Sequence, residues 1–321
     1  MPPVPHSPFQ VAAVQAAPVF MDRQASVAKA CELIAAAAAR GARLAVFPEA
    51  FVPGYPDWVW SVPAGKRAVH NAMYAELLAA SVRVPDESTR ALGDAARRAG
   101  IHVAIGVNER GGAGGGSLFN TIVFFGPDGA PLGVHRKLVA TGGERLVWAQ
   151  GDASTLSVFD TPVGRIGALT CWENYMPLAR FAMYAQGVQV YLAPTWDRGE
   201  PWGSTLRHIA REGGVYVVGC GMALRRADIP DRFEWRAGYP ESAEWINAGD
   251  SAIVHPSGAL LAGPAHQVED ILLAEVDLRE TLGFKSRFDP TGHYGRPDLF
   301  TVTVRRGSPA ALEWDFGTDP A

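Results

Sequence analysis

The sequence predicts an α/β fold in a single domain over residues 1–321. Short apolar runs typical of buried strands alternate with longer runs of helical spacing through most of the chain. Hydrophobic residues make up 48% and charged residues 19% of the sequence, which provides for a large core and excludes a disordered chain. Apart from one short glycine run, no repeat, linker or low-complexity block divides the sequence.

The first two strands are predicted at FQVAAVQAA (9–17) and ARLAVFPEA (42–50), because both runs are mostly apolar. A helix is predicted between them, since its apolar residues are spaced by threes and fours: Val27, Cys31, Ile34 and Ala38. Asp22 or Ser26 would cap the start of this helix, and Gly41 would end it.

A loop rich in proline and tryptophan, FVPGYPDWVWSVPAG, follows the second strand. Helices are predicted at about 66–80 and 86–99, and the second stops at Gly100. IHVAIGVNE and SLFNTIVFF then read as a strand pair, joined by the loop GGAGGG. This loop is not a dinucleotide-binding fingerprint, because its glycines depart from that pattern and no helix follows. We therefore expect a hairpin, followed by a turn at PDG (127–129) that leads into LGVHRKL.

The turn TPVG (161–164) precedes a strand, RIGALT, which ends immediately before Cys171. Helical spacing in ENYMPLARFAMYAQG predicts a helix that stops at Gly187. The pattern continues as a strand, a helix and a strand, at VQVYLAP, STLRHIAREGG and VYVVGC. DSAIVHPSG and ILLAEVDL are predicted to close it as a β-hairpin or a sheet edge, and residues 225–245 as a charged, irregular insertion.

Charge and composition exclude several partners. The formal net charge is −4 without a basic patch, so we expect no nucleic-acid partner, and no apolar run is long enough for a membrane span. The amino terminus lacks the basic start and apolar core of a secretory signal. An odd cysteine count with wide spacing argues against a disulfide framework. We therefore expect a cytoplasmic protein.

Cys171 is the first candidate for chemistry, because it ends a strand and precedes a predicted helix. The field of a helix amino terminus would lower the pKa of its thiol and favour the thiolate. From position alone, a buried and inert thiol remains the alternative. Cys31 lies on the apolar stripe of a helix and Cys220 at the end of a strand, so core packing is the expectation for both.

Three charged residues are further candidates. Glu49 closes the second strand, where open α/β folds place their ligands, and desolvation there would raise its pKa and make it a general base. Taken singly, Glu49 could equally be a solvated strand-end carboxylate. Lys137 and Glu144 could equally form a surface ion pair.

Three segments carry these four residues in order: FPEAFVPGYP, HRKLVATGGERLVWAQGD and TCWENYMPLARFAMYAQG. They resemble the three catalytic signatures of the nitrilase superfamily, and most closely those of the true nitrilases. Two further segments, APTWDRGEPWGSTLRHIAREGGVYVVGC and GHYGRPDLF, are also similar to nitrilase segments. The resemblance covers a core from about residue 9 to residue 300, and leaves a tail over about 301–321.

The resemblance implies a four-layer α-β-β-α sandwich with the site at the strand ends. It places the family's cysteine nucleophile on Cys171, its base on Glu49, its lysine on Lys137 and its further glutamate on Glu144. The implied reaction converts an organic nitrile to the carboxylic acid and ammonia without a cofactor, and the absence of CxxC, HExxH or clustered histidines gives no support for a metal. The family also implies a homo-oligomer, a dimer or larger, with nitrilases often extending into spirals.

Two alternatives share this apparatus or this fold. An amidase or carbamoylase of the same superfamily would use the same cysteine, glutamate and lysine, and a catalytically inactive binding protein would keep the fold. Five tryptophans lie in or just after the segments expected to meet at the site, Trp58, Trp60, Trp148, Trp172 and Trp196, with Tyr55 beside them. Of these aromatic residues, Tyr55, Trp172 and Trp196 are predicted to bind substrate. Such an apolar pocket favours aromatic, arylaliphatic or medium aliphatic nitriles over the matching amides.

Overall fold

Two β-sheets pack face to face in a computed structural model that describes residues 7–112 and 114–307. Helices cover the outer face of each sheet, so the order of layers is α-β-β-α. The fold predicted from the family resemblance is confirmed. Residues 1–6 and 308–321, which include the start of the chain and most of the expected tail, lie outside the described residues, as does Ala113 of the glycine loop.

Thirteen strands fall within these ranges: β1 (Phe9–Gln15), β2 (Ala42–Val46), β3 (His102–Gly111), β4 (Ser117–Phe125), β5 (Pro131–Arg136), β6 (Val158–Thr161), β7 (Gly164–Ala168), β8 (Val190–Thr195), β9 (Tyr216–Gly221), β10 (Ala223–Arg225), β11 (Trp245–Val254), β12 (Leu260–His266) and β13 (Asp270–Val276). The α-helices over the same part of the chain are α1 (Arg23–Ala39), α2 (Trp58–Ser61), α3 (Arg67–Ala80), α4 (Glu87–Ala99), α5 (Pro177–Ala185), α6 (Gly199–Gly213) and α7 (Leu278–Lys285).

The first sheet has the order β13-β1-β2-β3-β4-β5. Its β1, β2 and β3 are parallel, whereas β4, β5 and β13 join antiparallel to their neighbours. The predicted hairpin between β3 and β4 is confirmed, with Val103 opposite Phe125 and Gly111 opposite Ser117.

The second sheet has the order β10-β11-β9-β8-β7-β6, with β12 paired to β11. Its β7, β8 and β9 are parallel, and the flanking strands are antiparallel. Because parallel strands end at the same edge, the residues after β7 and β8 are brought together there.

Three apolar layers hold the sandwich together. Alternate side chains of the two sheets interdigitate between them, and those of β1 facing inward are Phe9, Val11 and Ala13. Helices α1 and α4 pack on the outside of the first sheet, and α5 and α6 on the outside of the second. Each buried aliphatic side chain stabilises the fold by about 1.5–3 kcal/mol.

The helix predicted between the first two strands starts where the sequence indicates. The Asp22 carboxylate accepts the Ala25 N–H at 2.9 Å and so caps α1. Ser26, the other candidate, lies inside the helix and donates its hydroxyl to the Val19 carbonyl at 2.9 Å. At the far end, Gly41 adopts a φ of +89°, which lets the chain turn directly into β2.

Two predicted elements are corrected. The helix expected over ENYMPLARFAMYAQG is divided into a 3₁₀ turn at Cys171–Tyr175 and the α-helix Pro177–Ala185. Proline, which has no N–H, occupies the first position of that helix, where no donor is needed. The expected closing hairpin is wrong, because β11 pairs with β12 in the second sheet whereas β13 pairs with β1. The alternative expectation, a sheet edge, is confirmed for β13.

The irregular segment over residues 225–245 is mainly turns and short 3₁₀ helices, as predicted. Its apolar side chains are nevertheless buried against the loop that follows β2. The Trp235 ring lies 6.1 Å from that of Trp58 and 5.9 Å from that of Phe20, measured between centroids. The segment therefore forms one wall of the region beside the site.

Among the described residues, no helix combines the length and the apolar character needed to cross a membrane.

Candidate active site

The four predicted catalytic residues meet at one edge of the sandwich, although up to 122 positions separate them in the sequence. Glu49 follows β2, Lys137 follows β5 and Cys171 follows β7, and Glu144 lies in a 3₁₀ helix at Gly142–Leu146. All four side chains are buried. The two sheets thus supply the groups from opposite sides, with the first giving Glu49 and Lys137 and the second giving Cys171.

Lys137 is the centre of the cluster. Its ammonium donates to Glu49 Oε1 at 2.7 Å and to Glu144 Oε2 at 2.7 Å. Burial by itself would lower the pKa of Lys137, but the charges of Glu49, Cys171 and Glu144 outweigh it and raise that pKa far above its usual value. The lysine is therefore a permanent cation held between two carboxylates.

Glu49 is fixed by two further protein groups. Its Oε1 also accepts from Asn120 Nδ2 at 2.6 Å, and its Oε2 accepts the Trp196 backbone N–H at 2.7 Å. Burial raises the pKa of Glu49 and the Glu144 charge adds to this, while the charge of Lys137 and the hydrogen bonds from Lys137 and Asn120 oppose the shift. A carboxylate with a raised pKa is a stronger base than one in water, and this one is already held in place.

Cys171 sits on a backbone bend with a φ of +53°, a left-handed conformation that non-glycine residues rarely adopt. Such strain is typical of functional sites and costs about 1–3 kcal/mol. The bend ends β7 and directs the side chain into the cluster, where Sγ and one carboxylate oxygen from each of Glu49 and Glu144 lie within 4.8 Å of one another.

The expectation of a lowered pKa for Cys171 is wrong. Burial raises the pKa of this thiol strongly and the Glu49 charge adds to the effect, whereas Lys137 and the Thr195 hydroxyl lower it only in part. The predicted helix amino terminus is a five-residue 3₁₀ turn, so it provides little field. At rest the sulfur is a thiol, and a base must remove its proton.

Glu144 holds the other side of the lysine. Its Oε2 accepts the Thr141 backbone N–H at 2.7 Å, and its Oε1 accepts the Tyr55 hydroxyl at 2.7 Å. Tyr55, predicted as a substrate contact, therefore also positions this carboxylate. The Tyr55 ring stacks on Trp196 with centroids 4.3 Å apart and planes 4° apart.

A buried carboxylate that the sequence analysis missed joins the two signature loops. Glu173 Oε1 accepts the Leu138 N–H at 2.6 Å, and its Oε2 accepts the Thr170 N–H at 2.6 Å and bonds His135 Nε2 at 2.9 Å. Burial would lower the pKa of His135, but the Glu173 charge reverses this and raises it. Glu173 thus ties the residue after Lys137 to the residue before Cys171. The signals in the sequence are its position two residues after the cysteine and the Thr-x-x-Glu spacing of Thr170 and Glu173, which is typical of a capping box.

Asn120 is the second group that sequence reasoning missed. It lies in β4, inside a strand rather than at its end, and its amide donates to Glu49, which is 71 positions away in the sequence. A polar residue inside the apolar run SLFNTIVFF is the signal that could have identified it.

A pocket of about 970 Å³ opens onto Cys171. Its apolar walls include Tyr55, Trp172 and Trp196, the three predicted substrate contacts, together with Trp60. Trp172 is 52% exposed and its indole N–H donates to Asp197 Oδ2 at 2.9 Å, whereas Trp196 is almost buried. The size and the apolar walls suit a small organic molecule.

Two of the tryptophans expected near the site do not line this pocket in the described structure. Trp58 is buried against Trp235, and Trp148 donates its indole N–H to Asn108 Oδ1 at 2.8 Å. Trp148 still acts on the cluster, because the Lys137 ammonium lies 5.5 Å from its ring centroid.

The carboxylates of Glu49 and Glu144 and the thiol of Cys171 are close enough to share a metal ion. The Lys137 ammonium, however, already forms ion pairs with both carboxylates. A divalent cation would have to displace that charge, so the arrangement favours an internal cation over a bound one.

The family model for carbon-nitrogen hydrolases matches residues 10–285. The chain belongs to the carbon-nitrogen hydrolase family. An aliphatic nitrilase from Sinorhizobium fredii (strain HH103) is 44% identical over 298 residues, which cover 92% of this chain and 95% of that protein. Nitrilase 3 from Arabidopsis thaliana is 38% identical over 309 residues, covering 94% and 88%. The relatives of this hydrolase thus place it in the nitrilase branch.

Solved structures agree on the fold of this carbon-nitrogen hydrolase. A carbon-nitrogen hydrolase from Helicobacter pylori G27 superposes with a TM-score of 0.69 at 22% identity, covering 92% of this chain and 97% of that chain. A member of branch 10 of the nitrilase superfamily from Saccharomyces cerevisiae gives a TM-score of 0.67 at 21% identity, covering 90% and 97%.

Proposed function

We propose that this carbon-nitrogen hydrolase is a nitrilase, which converts an organic nitrile to the carboxylic acid and ammonia. The observation that carries the proposal is the buried cluster at the base of an apolar pocket. In this cluster Cys171 faces Glu49 and Lys137, and the Lys137 ammonium donates hydrogen bonds to Glu49 and Glu144. Relatives named as nitrilases, at 38–44% identity over most of the chain, support nitriles as the substrate class.

The first step is attack by the Cys171 sulfur on the nitrile carbon. Glu49 removes the thiol proton as the S–C bond forms, because the pKa of Cys171 is too high for a free thiolate. The transfer moves a proton between two buried groups, so the net charge of the cluster stays the same. Glu49 then gives the proton to the nitrile nitrogen, and the product is a thioimidate.

Lys137 stabilises the negative charge that develops on nitrogen during this attack. Its ammonium is preorganised by two carboxylates and needs no movement when the charge appears. The Trp172 backbone N–H, one residue after the nucleophile, is a second donor candidate. Lys137 and Trp172 lie in the two loops that Glu173 joins, and these hydrogen bonds hold both donors in place.

Two waters complete the reaction. The first adds to the thioimidate carbon, and loss of ammonia leaves a thioester on Cys171. The second hydrolyses the thioester, releases the acid and restores the thiol. Glu49 serves as base for each water, while Glu144 keeps Lys137 in position.

A panel of nitriles and matching amides tests the function, with ammonia, acid and amide each measured. We expect aromatic, arylaliphatic or medium aliphatic nitriles to give acid and ammonia with a higher kcat/KM than the amides. Higher kcat/KM on the amides would replace this proposal with the amidase or carbamoylase reading, and neither ammonia nor amide from any substrate would favour an inactive binding protein. Amide must be measured because some relatives are named bifunctional nitrilase/nitrile hydratase.

The enzyme is further proposed to be cytoplasmic and a homo-oligomer, a dimer or larger. Three free cysteines support a reducing compartment. Large exposed apolar side chains support self-association, among them Leu178, Leu299 and Phe300. Light scattering should give a mass at least twice the 34.3 kDa of one chain, and a constant mass near 34.3 kDa at micromolar concentrations would contradict it.

A further inference from the structure

Asp57 is a buried carboxylate in the wall of the pocket that opens onto Cys171. Its side chain lines that pocket with Tyr55 and Trp196, yet the residue is only 4% exposed. Its Oδ2 has no hydrogen-bond partner among the described residues. Buried polar groups in folded proteins are nearly always paired, so an unpaired carboxylate oxygen beside a catalytic cluster requires a reason.

The local fold does not supply that reason. Asp57 immediately precedes the short helix α2, where aspartate often caps the backbone, but its side chain makes no capping hydrogen bond. Nor does it form an ion pair with any described residue within 4 Å. The charge of Arg198 acts to lower the pKa of Asp57, but the Arg198 guanidinium donates its hydrogen bond elsewhere, to the Ile246 carbonyl at 2.9 Å.

Burial changes the pKa of the Asp57 carboxyl group. It raises the pKa of Asp57 to about 7, although the Arg198 charge and a hydrogen bond from Trp196 act in the opposite direction. A carboxyl group in this state is costly to bury and gains most from a ligand that donates to it.

Asp197 provides the contrast within the same pocket. Its carboxylate accepts from Trp172 Nε1 at 2.9 Å, from the Tyr175 hydroxyl at 3.2 Å and from the Arg198 N–H at 2.8 Å. These protein donors already satisfy it, so a substrate gains little there. Among the described side chains of the pocket wall, the buried acceptor atom without a partner is Asp57 Oδ2.

We propose that Asp57 forms a polar subsite that selects nitriles bearing a hydrogen-bond donor, a hydroxyl or an amino group, on the carbon chain away from the nitrile. The proposal rests on the proposed nitrilase function and sharpens its substrate class. The apolar walls hold the carbon chain, and the donor of the substrate pairs with Asp57.

Size-matched substrate pairs test the subsite. 3-Hydroxypropionitrile, 4-hydroxybutyronitrile and 5-hydroxyvaleronitrile are compared with butyronitrile, valeronitrile and hexanenitrile, and 4-aminobutyronitrile adds the cationic donor. The wild type should prefer the donor-bearing member of at least one pair by about 10- to 100-fold in kcat/KM, the range of a hydrogen bond to a charged group. The pair showing the preference reports the distance from Cys171 to the subsite.

Two variants separate charge from hydrogen bonding. Asp57→Leu should abolish the preference while kcat/KM for the alkyl nitriles stays within a few-fold or rises. Asp57→Asn keeps an acceptor oxygen, so it should retain the hydroxyl preference and lose any amino preference. Asp197→Asn is the matched control and should leave the preference ratios unchanged. Equal ratios in the wild type and in folded Asp57→Leu would overturn the subsite, as would a wild type that prefers the alkyl member of every pair.

Binding to an inactive form separates this proposal from the proposed function. The affinities of the same compounds are measured by calorimetry in Cys171→Ala and in Cys171→Ala with Asp57→Leu. A donor preference present in the first and absent in the second supports the subsite even if the wild type releases no ammonia. Equal affinities in both proteins contradict the subsite even if the wild type is an active nitrilase.

Discussion

Two buried cysteines, one inside the second sheet and one just after its strand β7, have opposite surroundings. Cys220 lies in β9 between the sheets, with its sulfur 3.4 Å from the Val14 carbonyl oxygen and 3.2 Å from that of Val46. Cys171 follows β7 at the sheet edge and faces Glu49 and Lys137. Burial is the largest cause of a strongly raised pKa in both thiols.

The difference shows that burial by itself does not make a nucleophile. Cys220 has backbone carbonyls and a serine as neighbours, and none of these can take its proton. Cys171 has a carboxylate base beside it and a fixed cation where charge will develop. A raised pKa keeps both thiols protonated at rest, but only Cys171 can lose its proton at the moment of attack.

The largest effect is expected on removing each sulfur in turn. Cys171→Ala should lower kcat by at least about 10⁴-fold, because no other group can form the covalent intermediate. Cys220→Ala should keep kcat within about twofold and lose about 1 kcal/mol of stability from its core contacts. Steady-state kinetics and thermal unfolding measure both, and circular dichroism checks the fold. Loss of activity in folded Cys220→Ala, or turnover by Cys171→Ala, would reverse the assignment.

The next largest losses of activity are expected at the charged residues around Cys171, which are Glu49, Lys137 and Glu144. Glu49→Gln should lose about 10²–10⁴-fold in kcat/KM as the general base is removed, and Lys137→Met about 10²–10³-fold as the charge stabiliser is removed. Lys137→Met should also unfold more easily, because it leaves Glu49 and Glu144 buried without their cation. Glu144→Gln should show a loss similar to that of Lys137→Met. Losses below tenfold in folded Glu49→Gln and Lys137→Met would refute these roles.

A smaller loss of activity is expected from weakening Glu173, which joins the loop that carries Lys137 to the loop that carries Cys171. Glu173→Gln keeps the size of the side chain but weakens its bonds to His135 and to the backbone beside Lys137 and Cys171. We expect kcat to fall about 10- to 100-fold through misplacement of the reacting groups, with little change in KM. Glu212→Gln, which breaks the Arg180 ion pair instead, is the control for lost stability alone. Equal kcat values in Glu173→Gln and Glu212→Gln would contradict a positioning role for Glu173.

The pH dependence follows from the raised pKa of Glu49. The base must be ionised to act, so kcat/KM should fall as the pH drops through the folded pKa of Glu49, which lies above the ordinary 4.5. The alkaline limit should lie above the usual thiol pKa of 9.0, since the pKa of Cys171 is raised. A pH–rate profile measures both limits. An acid limit at or below 4.5 would contradict the assignment of Glu49.

No change is expected from metal removal. The Lys137 ammonium already serves as the cation of the cluster, so incubation with a chelator should leave kcat/KM unaltered. A loss of activity that added zinc restores would contradict this prediction.

The sequence identifies the groups that lie at strand ends and within contiguous signatures. Glu49, Lys137 and Cys171 follow apolar strands, and their motifs indicated the reaction before any geometry was available. It also predicted the α/β alternation and the hairpin between β3 and β4, which depend on local patterns.

Contacts between distant segments could not be read in the same way. The bond from Glu173 to Leu138 spans 35 positions and that from Asn120 to Glu49 spans 71. Within its own segment, neither residue indicates which distant group it contacts. The pKa direction of Cys171 was missed for the same reason, because burial by two sheets is a tertiary effect that outweighs a short 3₁₀ turn.

The most direct test of the difference between the two cysteines is to trap the covalent intermediate. Wild-type enzyme is mixed with a slowly hydrolysed nitrile and quenched in acid at short times, and the adduct is located by mass spectrometry of the intact chain and its peptides. The account predicts a thioimidate or thioester adduct on the peptide containing Cys171, formed and lost at rates consistent with kcat and absent from Cys171→Ala. An adduct on Cys220, or turnover without any adduct on Cys171, would contradict it.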